Sequence, residues 1–431
     1  MVSFPRYEKY KDSGVEWLGE IPEHWGIKKL KYVAKIINGS TPSSSNNKYW
    51  NGNFVWVTPN DLGKLKNKFI SDSARKITIS GIHSCGTQIT PKNSVILSTR
   101  APIGHAAVTT IPSCTNQGCK TLVLDIQKFD SIYLYYLLQI SKKSLQSHGE
   151  GTTFQELGSN ELKSYKVVIP PFSEQKQIVE FLDRKTEEID RAIAHKKRLI
   201  ELLEEQKTIL INQAVTKGLN PNAPMKDSGI EWLGEIPEHW EVKRAKYLLK
   251  EVDERSQTGE EELLSVSHIT GVTPRSEKNV NMFMAEDYTG SKICKKDDLV
   301  INIMWAWMGA LGVSDQVGII SSSYSVFRQH QQDTFNSWFL EHLLRSKEYV
   351  SQYNRLSTGL RSSRLRLYAD TFLKQPILLP SKQEQDQIKS EVKEKTKETD
   401  KAINSIEKQI EKLTELKQIL IAEAVTGKIK I

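Results

Sequence analysis

Two stretches of the chain have an unbroken helical rhythm. From Ser173 to Lys217 there is no proline and no glycine, and apolar side chains return every four and then three residues. Ser173 is placed to cap this helix, with the carboxylate of Glu174 favourable in its first turn. The steps run Ile178, Leu182, Lys185, Ile189, Ala192, Lys196, Leu199, Leu203, Gln206 and Leu210. A second series runs Ile388, Val392, Lys395, Thr399, Ala402, Ile406, Gln409, Leu413, Leu416 and Leu420. Heptad spacing sustained this long predicts a coiled coil, each helix a rod of roughly 65 Å at about 1.5 Å per residue. The segment Gly218-Leu219-Asn220-Pro221-Asn222-Ala223-Pro224 ends the first helix. A globular body must then return the chain to the rod, so antiparallel intramolecular pairing is the natural arrangement. Lys185, Lys196 and Gln206 interrupt the apolar stripe and are candidates for fixing its register.

Outside the rods the period changes. Phe54–Val57, Ser94–Leu97, Thr121–Leu124 and Lys166–Ile169 read as strands in the first body, with a helix over Ile132–Ile140. Leu263–Val266, Asp298–Asn302 and Tyr324–Phe327 read as strands in the second, followed by a helix near Ser337–Tyr349. This is an α+β pattern, not the strict alternation of a doubly wound sheet.

The chain is also written twice. Lys11–Trp25 recurs as Lys226–Trp240 with one change, Val15 to Ile230. Glu174-Gln175-Lys176-Gln177-Ile178 recurs as Glu384-Gln385-Asp386-Gln387-Ile388. Asp190-Arg191-Ala192-Ile193 and Asp400-Lys401-Ala402-Ile403 match further on, as do the helix ends Ala214-Val215-Thr216 and Ala424-Val425-Thr426. Between these shared frames the halves diverge, which suggests one assembly geometry carrying two ligand surfaces. The alternative is a tandem repeat whose middles have drifted, but the near-identity of the openings makes even drift an awkward explanation. The domain boundaries expected are 1–172 and 226–380 for the two bodies and 173–217 and 381–426 for the helices. A linker over 218–225 and a tail over 427–431 complete the chain.

Composition narrows the partners without naming them. Net charge is +8 and the pI about 9.0, suited to a polyanion but equally to plain solubility. No apolar run is long enough for a membrane span, and Met1–Tyr7 lacks the pattern of a secretory signal. Four cysteines are too few for a disulfide framework, so a cytoplasmic location is expected. Gly63-Lys64 and Gly427-Lys428 are followed by Leu and Ile, not by the Ser or Thr of a phosphate-binding loop. Ile169-Pro170-Pro171-Phe172 has the outline of an amino-methyltransferase motif, but Ile169 cannot accept a hydrogen bond from a target amine. It reads better as the hinge into the first helix. His83, Cys85, Cys114 and Cys119 fit no standard zinc spacing, and His24 and His239, in identical Pro-Glu-His-Trp turns, read as packing residues. No catalytic residues and no metal ligands are assigned.

On these motifs the chain resembles the specificity subunits of type I restriction–modification systems, over essentially its whole length. The repeated openings and the segments Ile169–Gln175 and Leu379–Gln385 carry the likeness in the frame. Leu97–Gly104 with Thr115–Gly118 is similar to one class of recognition domain, and Met304–Gly312 with Gly359–Leu365 to another. The resemblance implies two target-recognition domains reading an asymmetric, bipartite site on double-stranded DNA. It implies that the helices measure the spacer and carry two modification subunits, and that this chain is not itself an enzyme. S-adenosylmethionine, ATP and Mg are expected on partner modification and restriction subunits, with no cofactor here.

Reading a major groove calls for exposed Arg, Lys, Asn and Gln side chains. The DNA-binding candidates are Arg100, His105, Asn116, Gln117 and Lys120 in the first body and Trp305, Trp307, Arg361, Arg364 and Arg366 in the second. Arg100 and Arg361 suit the DNA backbone better than base edges, and Arg361–Arg366 reads as a phosphate-binding loop. Trp305 and Trp307 would share a face if they lay on a strand, where core packing is the role expected of them. Two other readings stand beside this one: a DNA-modifying enzyme with its own centre, and a coiled-coil scaffold without a DNA role.

Overall fold

The computed structural model describes residues 4–100, 102–149, 155–278, 287–359 and 365–431. The chain divides into two compact units, Met1–Lys196 with Glu407–Ile431, and Lys197–Ile406. Two long helices, Phe172–Lys217 and Lys382–Val425, each contribute one end to each unit.

In the first unit, a hairpin of Tyr10–Asp12 and Glu20–Pro22 leads into strand Gly26–Lys29, which pairs antiparallel with Lys166–Ile169. The main sheet has five strands in the order Ala34–Asn38, Cys119–Leu124, Val95–Ser98, Ala106–Thr109 and Phe69–Ile70. Its central strands are antiparallel and alternate faces, so one face packs on helix Ser131–Ile140 through Val95, Leu97 and Leu122. A smaller sheet built on Trp50–Val57 covers the other side with Val55 and Val57 against Ile96 and Cys119. The largest core joins Trp25, Leu30, Tyr133 and Leu137 to Ile178 and Leu182 of the first long helix and Leu420 and Val425 of the second.

The second unit repeats this plan with a shorter sheet: Leu249–Val252, Tyr324–Gln329, Leu299–Asn302 and Leu311–Val313. Glu241–Arg244 pairs with Pro376–Leu379 as Gly26–Lys29 does with Lys166–Ile169. Its core joins Trp240, Phe339, Leu343 and Tyr349 to Val215 of the first long helix and to Ile388 and Val392 of the second. One helix was expected near Ser337–Tyr349, but there are two, Ser337–Leu344 and Lys347–Leu356. Ser346 takes extended backbone angles, and the side-chain oxygen of Asn212 accepts from the Lys347 amide at 3.0 Å, starting a new helix there. Asn212 belongs to the first long helix, so a tertiary cap decides a break that local sequence does not signal.

The repeated sequence segments meet in space as the same lock in each unit. Glu174, in the first turn of its helix, accepts from the Trp25 indole at 2.9 Å, from the Tyr7 hydroxyl at 2.9 Å and pairs with His24 Nε2 at 2.7 Å. Glu384 accepts from the Trp240 indole at 3.0 Å and pairs with His239 Nε2 at 2.9 Å. The next residue completes the lock. Gln175, fully buried, accepts from the Asp130 amide at 2.9 Å and donates to the Pro170 carbonyl at 3.0 Å. Gln385 does the same with Asn336 at 2.8 Å and Pro380 at 3.0 Å. Asp130 and Asn336 are themselves the caps of Ser131–Ile140 and Ser337–Leu344, so each glutamine ties one helix start to another.

The helix pairing is antiparallel in both units. In the first, Asp190 pairs with Lys417 at 2.6 Å and Lys196 donates to Gln409 at 2.5 Å. In the second, Lys207 pairs with Asp400 at 2.6 Å, which is the Asp190–Lys417 pair in its repeated form. The inward stripe departs from a strict alternation of four and three. It runs Ile178, Leu182, Thr186, Ile189, Ile193, Lys196, Ile200, Leu203, Lys207, and Ile388, Val392, Thr396, Thr399, Ile403, Ile406, Ile410, Leu413, Lys417. Two four-residue steps in succession at the foot of each helix give an eleven-residue period, which moves every second later position by one residue and leaves Ile189, Lys196 and Leu203 in place. Leu199 and Leu416, expected on the seam, are therefore 46% and 45% exposed, and Lys207 takes the place expected of Gln206. Lys185 turns along its own helix to Glu188. Ser173 does not cap: the first helix already begins at Phe172, with the Gln175 amide donating to the Pro171 carbonyl, whereas Ser381 does accept from the Glu384 amide at 3.2 Å.

Replacing Glu174 with Ala strands the buried Trp25 indole and the Tyr7 hydroxyl and should cost about 2 kcal/mol, read from urea unfolding of the full chain. Burial opposes ionisation of Glu174, but the bonds from Trp25, His24 and Tyr7 outweigh it and hold its carboxyl below the usual range. Its stabilising contribution is thus complete above about pH 4.5 and is lost as pH falls through the depressed folded value. Urea midpoints of the wild type and Glu174→Gln should accordingly converge as the pH falls through that depressed value; parallel curves would show that the carboxylate charge is irrelevant.

Candidate nucleic-acid interface

In the first unit the loops leaving one end of the five-stranded sheet are gathered by backbone bonds. The Gly118 carbonyl accepts from the Thr99 amide at 2.8 Å and the Arg100 amide at 3.3 Å. The Asn116 amide donates to the Val57 carbonyl at 3.0 Å, and the Asn116 side chain accepts from the Gly118 amide at 3.0 Å. Gln117 is exposed at the tip of this turn and bonds the Thr41 hydroxyl. Gly39 lets the neighbouring loop approach closely: a Cβ there would lie 1.9 Å from the Asn116 carbonyl oxygen.

Arg100 stands beside this turn and pairs through Nη2 with Glu156 at 2.9 Å. Lys120, on strand Cys119–Leu124 opposite Leu97, is only 5% exposed. Desolvation lowers its pKa, the charge of Glu156 works in the other direction and that of Arg100 adds to the lowering. The structure therefore brings Arg100, Asn116, Gln117 and Lys120 to one end of the sheet. His105 lies on the following turn, half-buried beside Lys142, where desolvation and then the lysine charge lower its pKa. Asn116 spends its side-chain oxygen on its own turn, a framework role. Cys114 and Cys119 are buried strand residues, and burial pushes the Cys114 thiol up to about 11.

In the second unit, Trp305 and Trp307 sit on a tight turn over Ala306–Met308, closed by Gly309 at φ 84°, and not on a strand. Their rings stack at 6.1 Å. Trp307 donates to the Met304 carbonyl at 3.1 Å, but Trp305 is 46% exposed, so core packing does not describe it. Arg366 is exposed and bridges Thr358 through its backbone, with bonds of 3.0 and 3.1 Å. Arg361 and Arg364, and with them most of the expected phosphate-binding loop, lie outside the described residues. A framework network holds the sheet beneath: Arg328 grips Asp298 with two bonds of 2.8 Å and Glu254 with one of 2.6 Å. Those bonds, first from Arg328 and then from Lys295, hold the Glu254 carboxyl down at about 2.

The family described as "Type I restriction modification DNA specificity domain" matches residues 22–205. The type I restriction enzyme MjaIX specificity subunit of Methanocaldococcus jannaschii is 32% identical, the alignment covering 67% of each chain. This chain belongs to the type I restriction enzyme specificity subunits. The MjaVIII specificity subunit of the same organism is 24% identical over 95% of this chain and 94% of its own. A solved structure concerned with complex assembly and conformational transition of the type I R-M system shares the fold, with a TM-score of 0.65 at 15% identity. It covers 94% of this chain and 98% of the other. Within this specificity subunit, the candidates Arg100, Asn116, Gln117 and Lys120 lie together at the sheet end, and sequence reasoning did not name Glu156, which pairs with Arg100 there. Its signal was slight: a lone carboxylate three residues after a Gly-Thr-Thr run, with no partner visible until Arg100 is brought across the sheet end.

Gly39→Ala should force the Thr115–Gly118 turn away from its strand and destabilise the subunit by about 1–3 kcal/mol. A thermal melt and the proton chemical shifts around Asn116 would register both effects; an unchanged melt would mean the turn yields freely.

Proposed function

We propose that this chain is the sequence-specific DNA-binding specificity subunit of a type I restriction–modification complex. It recognises a bipartite, asymmetric site and directs adenine methylation and restriction by partner subunits. The observation that carries this reading is that equivalent frames, locked by Glu174 and Trp25 in one unit and Glu384 and Trp240 in the other, present unlike loops. A common frame suits a common assembly, while Arg100 with Gln117 and Trp305 with Arg366 present different chemistry to two different half-sites.

In this reading the chain binds and orients but performs no covalent step. S-adenosylmethionine, ATP and Mg belong to modification and restriction subunits that assemble on it. Neither a nucleotide-binding loop nor a methyltransferase motif occurs in its sequence, which supports that division of labour. The scaffold alternative gains nothing from the exposed Arg and Trp side chains at the loop ends.

Exchanging residues 26–168 for a foreign recognition domain should change one half of the methylated site and leave the other as it was. Mapping methylated adenines after treatment with the assembled complex reads this directly. Concerted change of both halves, or methyl transfer by the purified chain alone, would contradict the proposal.

A further inference from the structure

The two frames can be superposed residue by residue through their hydrogen bonds, and one point on them behaves unusually. Leu157 donates its amide to the Thr99 carbonyl at 2.8 Å, and Leu367 donates to the Ile303 carbonyl at 3.0 Å. Ser98 pairs with Cys119 and Leu97 with Lys120; in the second unit Asn302 pairs with Tyr324 and Ile301 with Ser325. Arg100, Lys120 and Glu156 therefore correspond to Met304, Ser325 and Arg366. Every residue differs, and the acidic one is replaced by a basic one. Yet each group sums to a single positive charge: two cations and a carboxylate in the first unit, one arginine and two neutral residues in the second.

The first group holds one ion pair and one further cation. Lys120, 5% exposed, lies close enough to feel the charges of both Glu156 and Arg100, while the ion pair itself joins only those two. Glu156 meets Arg100 through one nitrogen only, at 2.9 Å, in a pair that is 47% and 39% exposed. A half-exposed pair of this kind is held weakly. In the second unit, the Arg366 side chain is exposed and has no partner among the described residues. A carboxylate serving one of two neighbouring cations leaves room for an anion with more oxygens to serve both.

We propose that this point of the frame is, in each unit, the seat of one DNA phosphodiester. Arg100 and Lys120 hold it in the first unit once Glu156 is displaced, and Arg366 holds it in the second. The inference rests on the DNA-binding reading above and adds to it a position and a mechanism. Glu156 acts as a resident competitor, so that the first unit gives up an internal ion pair before it grips the backbone. Because phosphates carry no base identity, these contacts fix register and leave the choice of sequence to the neighbouring loops.

The test is salt-dependent binding by the assembled complex, measured by fluorescence anisotropy on duplexes with and without the methylated site. Arg100→Ala and Arg366→Ala should each flatten the slope of log K against log salt by about 0.9, equally on all duplexes. Glu156→Gln should tighten binding to every duplex several-fold without changing their ranking. Arg366 is exposed, so its variant reports even if Glu156→Gln fails to fold. An unchanged slope in either arginine variant, or Glu156→Gln binding no tighter than wild type, would overturn the proposal. So would a change in duplex ranking with the slope intact, which would make Arg366 a base reader. If the wild-type complex bound no duplex at all, the DNA-binding reading itself would fall, an outcome separate from these.

Discussion

The carboxylate at the foot of each long helix organises everything around it. Glu174 and Glu384 each accept a hydrogen bond from the indole N–H of a tryptophan that is fully buried, and each sits where the helix dipole favours a negative charge. A buried indole N–H without an acceptor is costly, so the opening segment of each body has one place to dock. The glutamine that follows satisfies both ends of its amide within the same corner and passes the constraint on to the cap of a neighbouring helix. A carboxylate, an indole and a glutamine amide therefore define where a body meets its helix, and the remainder of the body hangs from that corner.

This arrangement explains how the middle of each body is free to differ. Strands Val95–Ser98 and Cys119–Leu124 in one unit and Leu299–Asn302 and Tyr324–Gln329 in the other keep a common register, while the loops at their ends do not share a single candidate contact residue. Backbone bonds such as Thr99 to Gly118 and Leu367 to Ile303 hold those loops whatever side chains they bear. A specificity subunit needs that separation, because a change of target must not disturb assembly.

The helices show the same economy in their charges. Asp190 with Lys417 and Lys207 with Asp400 are one ion pair written twice, and each crosses from helix to helix within its unit. Such half-exposed pairs add at most about 1 kcal/mol each. Their value is in register: a slip along the seam would set these charges against apolar neighbours. The eleven-residue step at the foot of each helix places them there, which is why counting strict heptads put Leu199 and Leu416 on the seam when both face solvent.

The sequence by itself determined the two-fold frame, the two long helices, the α+β character of the bodies and the family to which the chain belongs. Each of these is carried by local pattern or by near-identical repeats, and local pattern survives without knowledge of what packs where. Only the tertiary structure decided the partners of charged and aromatic side chains. It gave Glu156 to Arg100, buried Lys120, exposed Trp305 on a turn, and started a second helix after Ser346 through Asn212 from another element. Those outcomes depend on residues distant in the chain converging on one point. Burial and ion pairing are properties of that convergence, and the order of residues along the chain does not encode them in any single segment.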